Sequence, residues 1–401
     1  MSSAIPNTRL APSWLHAWSM LTIGVTVALL TLGAVVTTFR VGMADPIWPT
    51  YPWHLALIDW HEPKPGLVIE HVHRLAGHVI GLFVLVLTVS LWLGEPRRMM
   101  RRVGLSAVSA MIFSLGLCFA FLDHSTADLT VAERWLCGLC VTINLATVGI
   151  FLTLARRERS AGLWLRWLGT VALAAVIFQG LLGGFRVKFN ALAGTNLAIV
   201  HGCFAQVVFS LLASLAVLTA APNTTTVLSG EESSRLQRWS LLLPGLVFLQ
   251  LIWGALVRHT NGLLAQRMHF ITAFVVVATV VWFGRMVFAS STARRAMGRT
   301  IVVLAVLLTL QIFLGVESWL GKYIGVLLPE AQKPTVGQAA TRVAHVLVGS
   351  FVLASSVSLA VQAHRSVIQD AERSAKHAPV HVPDDPQVVL CNMVPHLEGS
   401  A

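Results

Sequence analysis

The chain has 401 residues, 55% of them hydrophobic and only 12% charged, with a formal net charge of +11 and a mean hydropathy of +0.72. A soluble domain is about one-quarter charged, so the composition excludes a soluble globular protein and predicts an integral membrane one. The excess charge is not a nucleic-acid footprint, because it collects in short clusters between apolar segments, Arg97–Arg102 and Arg156–Arg159 among them.

Apolar runs of about 20 residues, the length that crosses hydrocarbon as a helix, recur ten times. They lie at roughly 18–38, 68–94, 103–122, 132–155, 163–184, 195–219, 239–257, 268–289, 300–320 and 342–363. The first follows a polar start with Arg9, is too long for a signal-peptide core and precedes no clear cleavage site, so it reads as a retained helix. With the N-terminus inside, most Lys and Arg fall in inner segments, the positive-inside pattern. This predicts a multi-pass protein of the cell inner (cytoplasmic) membrane with both termini cytoplasmic.

In chain order, 1–17 is then a cytoplasmic N-terminus and 18–219 an N-terminal half. Its first outer connection, 39–67, is rich in Trp, Pro and His, as expected of an irregular cap at headgroup level. The polar segment 220–238 is an inner linker, and 239–363 forms a C-terminal half. The tail 364–401 is charged and carries no apolar period, so disorder is expected there. The remaining outer connections are 123–131, 185–194, 258–267 and 321–341.

The two halves repeat each other. Gly33-Ala-Val-Val in the first span answers Gly254-Ala-Leu-Val in the seventh, and Glu70-His-Val-His73-Arg74 answers Gln266-Arg-Met-His269-Phe270. Gln179-Gly-Leu-Leu-Gly183 answers Gln311-Ile-Phe-Leu-Gly315, and Ile199-Val-His201 answers Val343-Ala-His345. The fold expected is all-α: two pseudo-symmetric four-helix bundles built as parallel repeats, about ten transmembrane helices in total. Residues 103–155, which have no counterpart, form an inserted helical hairpin.

His73, His201, His269 and His345 stand at matching repeat positions and at one expected membrane face, the outer one. An imidazole in hydrocarbon is a functional candidate by default, and a pair on facing helices can clamp one iron of a porphyrin from both sides. The couples His73/His201 and His269/His345 are therefore the candidate ligands. Arg40, Arg74, Arg186, Lys188, Arg258 and Arg342 at the same face are candidate partners for haem propionates, with ordinary snorkelling as the alternative. Glu70, one turn before His73, is the candidate catalytic carboxylate, because it can exchange protons and Gln266 cannot. It has a plainer use as an ion-pair partner of Arg74.

Other polar residues carry less. His71 and His78 fall on other sides of the second span, and His54, Asp59 and His61 have no diagnostic metal spacing. Cys137-Gly-Leu-Cys140 lies inside an apolar helix, and Cys203 points away from His201, so packing is expected for all three. No cysteine pair stands in the outer loops to make a disulfide framework.

Taken together, Glu70-His-Val-His73-Arg74, Gly254-Ala-Leu-Val-Arg-His259-Thr, the Gln-x-x-Leu-Gly elements, Trp48-Pro49 and the helix-borne His201, His269 and His345 resemble the haem A synthase family. The resemblance covers most of 18–363, without the hairpin or the tail. It implies a membrane oxidoreductase that oxidises the C8 methyl of haem O to a formyl group through a gem-diol, giving haem A for terminal oxidases. His73 and His201 would hold the substrate haem, with Glu70 catalytic. His269 and His345 would ligate a haem b that passes electrons. Implied partners are membrane lipid, haem O synthase, oxidase assembly factors and a quinol or other electron donor, with a homo-oligomer left open. The chain departs from the family where many members carry a loop cysteine pair, since Asp45 and Tyr51 stand there. The alternative is a non-catalytic di-haem b protein that moves electrons or carries haem. A transporter fits less well, because transporters favour broken helices near the midplane.

Overall fold

The computed structural model describes residues 11–45, 47–51, 53–54, 59, 61–62, 64–122, 129–158, 160–221, 230–324 and 333–377. The elements are α1 (Ser13–Thr38), α2 (Pro65–Leu93), α3 (Arg98–Phe121), α4 (Val131–Glu158), α5 (Ala161–Lys188), α6 (Asn190–Thr219), α7 (Gly230–Thr260), α8 (Leu263–Ala289), α9 (Ser291–Tyr323) and α10 (Val336–His377). All ten are long and apolar enough to cross a membrane. The protein is an all-α, multi-pass membrane protein, as the apolar runs predict. A helix satisfies its own backbone hydrogen bonds, which is what hydrocarbon demands. Polar side chains in the spans turn inward on the same principle: Ser19, Thr22 and Thr26 each donate to the carbonyl four residues back.

Two rings of four helices emerge. In the first, α1 packs on α2 and α6, α2 on α5, and α5 on α6; in the second, α7 packs on α8 and α10, and α9 on α8 and α10. The rings meet through α1, α6, α7 and α10. Each has its own apolar core, one around Val84, Leu87, Leu173 and Leu212, the other around Leu243, Phe283, Leu304 and Leu353.

The hairpin α3–α4 packs against α2 and α5, on the flank of the first ring. Trp92 fixes it there. Its indole fills the space left by Gly104 on α3, where an added Cβ would come within 2.2 Å of the ring. The same indole donates to Thr170 Oγ1 (3.0 Å) and packs on Phe151. On the other side Trp167 donates to the Val148 carbonyl.

Several boundaries differ from the sequence expectation. The 185–194 connection is almost wholly helical: α5 runs to Lys188, α6 starts at Asn190, and the turn is made by Phe189 with a kink at Ala193. The linker becomes helical at Gly230, and α10 continues to His377, into the segment expected to be disordered. Residues 378–401 and Cys391 lie outside the described residues, as does 222–229.

Candidate functional site

Each of the four histidine rings rests against a glycine on the neighbouring helix. An added Cβ would meet His73 Cε1 at 3.1 Å from Gly33, His201 Cε1 at 3.3 Å from Gly183, His269 Cε1 at 3.1 Å from Gly254 and His345 Cε1 at 3.0 Å from Gly315. Only a residue without a side chain admits the imidazole at that distance, since carbon contacts settle near 3.5–4.0 Å. Thus α1 seats the histidine of α2, α5 that of α6, α7 that of α8 and α9 that of α10.

A second layer surrounds three of these rings. Four residues before each glycine, one helical turn away on the same face, stands Gln179, Gln250 or Gln311. Their amide nitrogens lie 3.3, 3.4 and 3.3 Å from Nε2 of His201, His269 and His345. Gln179 and Gln250 also donate to the carbonyl of the histidine itself, at 3.0 and 2.9 Å. At α1 the matching residue is Leu29.

The rings of His269 and His345 have centroids 6.4 Å apart. An iron taking one nitrogen from each at about 2 Å, the usual metal–imidazole length, holds two ring centres about 6 Å apart. Nδ1 of His269 lies 3.2 Å from the Gln250 carbonyl. A carbonyl can only accept, so Nδ1 carries the proton and Nε2 keeps the lone pair that a metal needs. His73 and His201 lie within electrostatic reach of one another, and both within reach of Arg186.

Among the described residues no group of three or more His, Cys, Asp or Glu converges as a site for a bare metal ion. Two imidazoles are too few for such an ion. They suffice for a metal macrocycle that brings four equatorial nitrogens of its own, and the imidazole donor set and the spacing of His269 and His345 fit one.

Glu70 is buried in α2 beside the first couple. Its Oε1 accepts from Arg74 (2.7 Å) and its Oε2 from the Asp45 backbone N–H (2.9 Å). Arg74 goes on to bind the Asp45 carboxylate and carbonyl, the Ile47 carbonyl and Thr50 Oγ1. The guanidinium is therefore the hub that folds the described part of 45–50 over the first ring. Trp48 completes that closure by entering the notch at Gly184 and meeting Phe119 of α3 edge-on.

The remaining cations are spread along the same end. Arg186 stacks against Gly42 and lies within electrostatic reach of Glu70. Arg258, deeply buried in α7, donates to the Ala34 carbonyl (2.8 Å) and Thr38 Oγ1 (2.7 Å) of α1. Arg342 reaches the Gly321 carbonyl, while its Nε is buried without a hydrogen-bond partner. Lys188 is buried, and Arg40 closes α1 in a left-handed conformation, φ 55°.

The lesser residues sort themselves out. His71 is buried, 3.6 Å from the Asp45 carboxylate; His78 is exposed and Nδ1 faces its own helix at the Arg74 carbonyl. His54 packs among Tyr51 and Trp53. Asp59 and His61 are exposed and joined to each other through the His61 N–H. Cys118 and Cys137 are buried with sulfurs 3.3 Å apart, and Cys140 takes a hydrogen bond from Ser114.

Sequence reasoning missed Gln250 and the four glycine seats. The signal for Gln250 was present: its spacing to Gly254 repeats that of Gln179 to Gly183 and of Gln311 to Gly315. No family model, curated protein or solved structure matches the chain.

Proposed function

We propose that the protein is a haem A synthase-type oxidoreductase, with haem O as substrate at His73/His201 and a resident haem b at His269/His345. The observation that carries this is the pair of imidazole couples, each ring seated on a glycine and the second couple spaced for one iron. When bound, the resident haem would supply one-electron transfer. His269 holds its ligating nitrogen in place through the Gln250 carbonyl. Arg186, Arg258 and Arg342 offer cations toward carboxylates at the same end, as propionates require. The basic clusters favour the cell inner membrane, with both termini cytoplasmic and the histidine end outward.

Glu70 is the catalytic carboxylate of this reading. With Oε1 on Arg74 and Oε2 on the Asp45 N–H, it is oriented but not idle. Taking a proton there means weakening one of those two bonds. The same pairing favours a second reading, in which Glu70 only anchors the cap and the protein is a di-haem b electron carrier.

The test is to express the chain beside a haem O synthase in cells that lack haem A, then separate the extracted haems by chromatography. Haem A is the expected product, and Glu70→Gln keeps haem bound while abolishing it. A haem-loaded protein that accumulates only haem B and haem O refutes the synthase and leaves the carrier.

A further inference from the structure

We propose that the outward face of α8 and α9 is a dimer interface, on which a second copy of this chain docks through reciprocal pairs of Arg267 and Glu317. Neither residue takes part in the haem sites proposed above.

The two rings differ in what covers the side turned away from the other ring. In the first, the hairpin α3–α4 packs on α2 and α5. In the second, the repeat puts α8 and α9 in the same places, and among the described residues no further helix covers them. Accordingly, 11% of the apolar stretch of α9 is buried, against 44% for its counterpart α5. Phe313 is 70% exposed where the repeat places the fully buried Leu181, and Val316 is exposed where Gly184 receives Trp48.

The bare face carries one charge on each helix. Along α8 the exposed stripe is Arg267, Phe270, Ile271 and Phe274; along α9 it is Phe313, Val316, Glu317 and Leu320. Both have the i, i+3, i+4, i+7 spacing of one helix face, and Phe270 meets Trp319 where the two helices pack. Arg267 stands two residues before His269, and Glu317 two residues beyond Gly315. Each therefore lies about 3 Å from the histidine level, toward the same end of the bundle. Neither has a hydrogen-bond or ion-pair partner among the described residues.

Lipid tails accept the phenylalanines but not the charges. Arg267 is long enough to snorkel to the headgroups; Glu317 is not. Copies inserted the same way round are related by an axis along the membrane normal, which preserves depth. A two-fold axis of that kind makes a face with both signs at one depth its own complement. Arg267 then meets Glu317 of the second copy, and Glu317 meets Arg267 of the second copy. A different protein would need the reverse pattern of charges in its own sequence; a second copy has it by symmetry.

Full-length copies bearing two different tags are co-expressed, extracted in mild detergent and captured through one tag, and light scattering of the eluate gives its stoichiometry. The wild type is expected to co-purify as a dimer. Arg267→Glu alone and Glu317→Arg alone set like charges across the axis and drop co-purification to background. Mixing the two variants restores opposite signs at both contacts, so they capture one another although neither captures itself. Melting scans of the single variants establish that the loss is not unfolding. A wild type that stays monomeric, in lipid alone or bound to a different membrane protein, overturns the proposal. So do variants that co-purify as the wild type does, and a mixed pair that fails to associate.

Discussion

Adding one methyl group at Gly315 or Gly254 is expected to cost haem binding without unfolding the protein. The alanine Cβ would stand 3.0 Å from Cε1 of His345 or 3.1 Å from that of His269. Comfortable carbon contacts begin near 3.5 Å, so the ring must retreat by roughly 0.5 Å. A metal–ligand bond tolerates only about 0.2 Å. The fold feels two opposed terms: overpacking costs about 1–3 kcal/mol, and alanine in place of glycine returns about 1 kcal/mol of helix propensity. Melting temperatures should thus change by only a few degrees, while haem affinity falls by at least tenfold, the equivalent of 1.4 kcal/mol. Gly180→Ala and Gly202→Ala are the controls, because a Cβ at either position meets nothing within 4 Å. The assay is the haem-to-protein ratio of purified variants by pyridine haemochrome, beside a thermal scan. A Gly315→Ala protein with the full ratio and an unaltered haem spectrum, or controls that lose haem equally, would refute the reasoning.

Three further outcomes are expected. Arg74→Met strands the buried carboxylates of Glu70 and Asp45 and should cost about 3–5 kcal/mol, seen as a lower melting temperature. Glu70→Gln added to it should recover part of the loss, and no recovery would contradict the ion pair. Burial pushes the Glu95 carboxyl up, but its hydrogen bonds to Arg97 and the charge of Arg166 hold it below the usual value of 4.5. Its stabilisation is therefore present above that value and fades as pH falls through the lowered one. Glu95→Gln should flatten the acid limb of the melting-temperature profile below the ordinary value of 4.5; an unchanged limb would remove Glu95 as its source. Finally, a mild oxidant should join Cys118 to Cys137, whose sulfurs are 3.3 Å apart, blocking both from alkylation in mass spectra. The cross-link closes a loop of about 20 residues and should raise stability by about 3 kcal/mol; two thiols that still alkylate after oxidation would show that the pair does not close.

The ten spans were legible because apolar runs of that length admit one structure in hydrocarbon. Their ends were not. The stretch 185–194 reads as a loop by its Arg, Lys and Asn, yet in the structure both flanking helices extend to meet at Phe189, which keeps the backbone bonded. The histidines stood out as polar residues among apolar ones. Their glycine seats did not, because glycine is frequent in membrane helices and only packing separates a seat such as Gly315 from an open position such as Gly180. Arg74 looked like a propionate partner from its place after His73. Its partners Asp45, Ile47 and Thr50 come from more than 20 residues earlier, and no local spacing announces that fold of the cap. The flank on which the hairpin packs was equally hidden, since it depends on Trp92 finding Gly104.

Arg258 belongs to the second ring, yet its guanidinium grips α1 at Ala34 and Thr38, on either side of the turn that follows Gly33, the seat of His73. One guanidinium thus touches the frame of both couples, and on the haem reading occupancy of the two would be a linked equilibrium. Whatever factor filling the first site imposes on affinity at the second, filling the second imposes on the first, because the coupling free energy is shared. On that reading, a protein so joined would sense occupancy of the first couple through that of the second, on the far side of α1. Cutting the grip with Arg258→Leu would let each site titrate as if the other were absent.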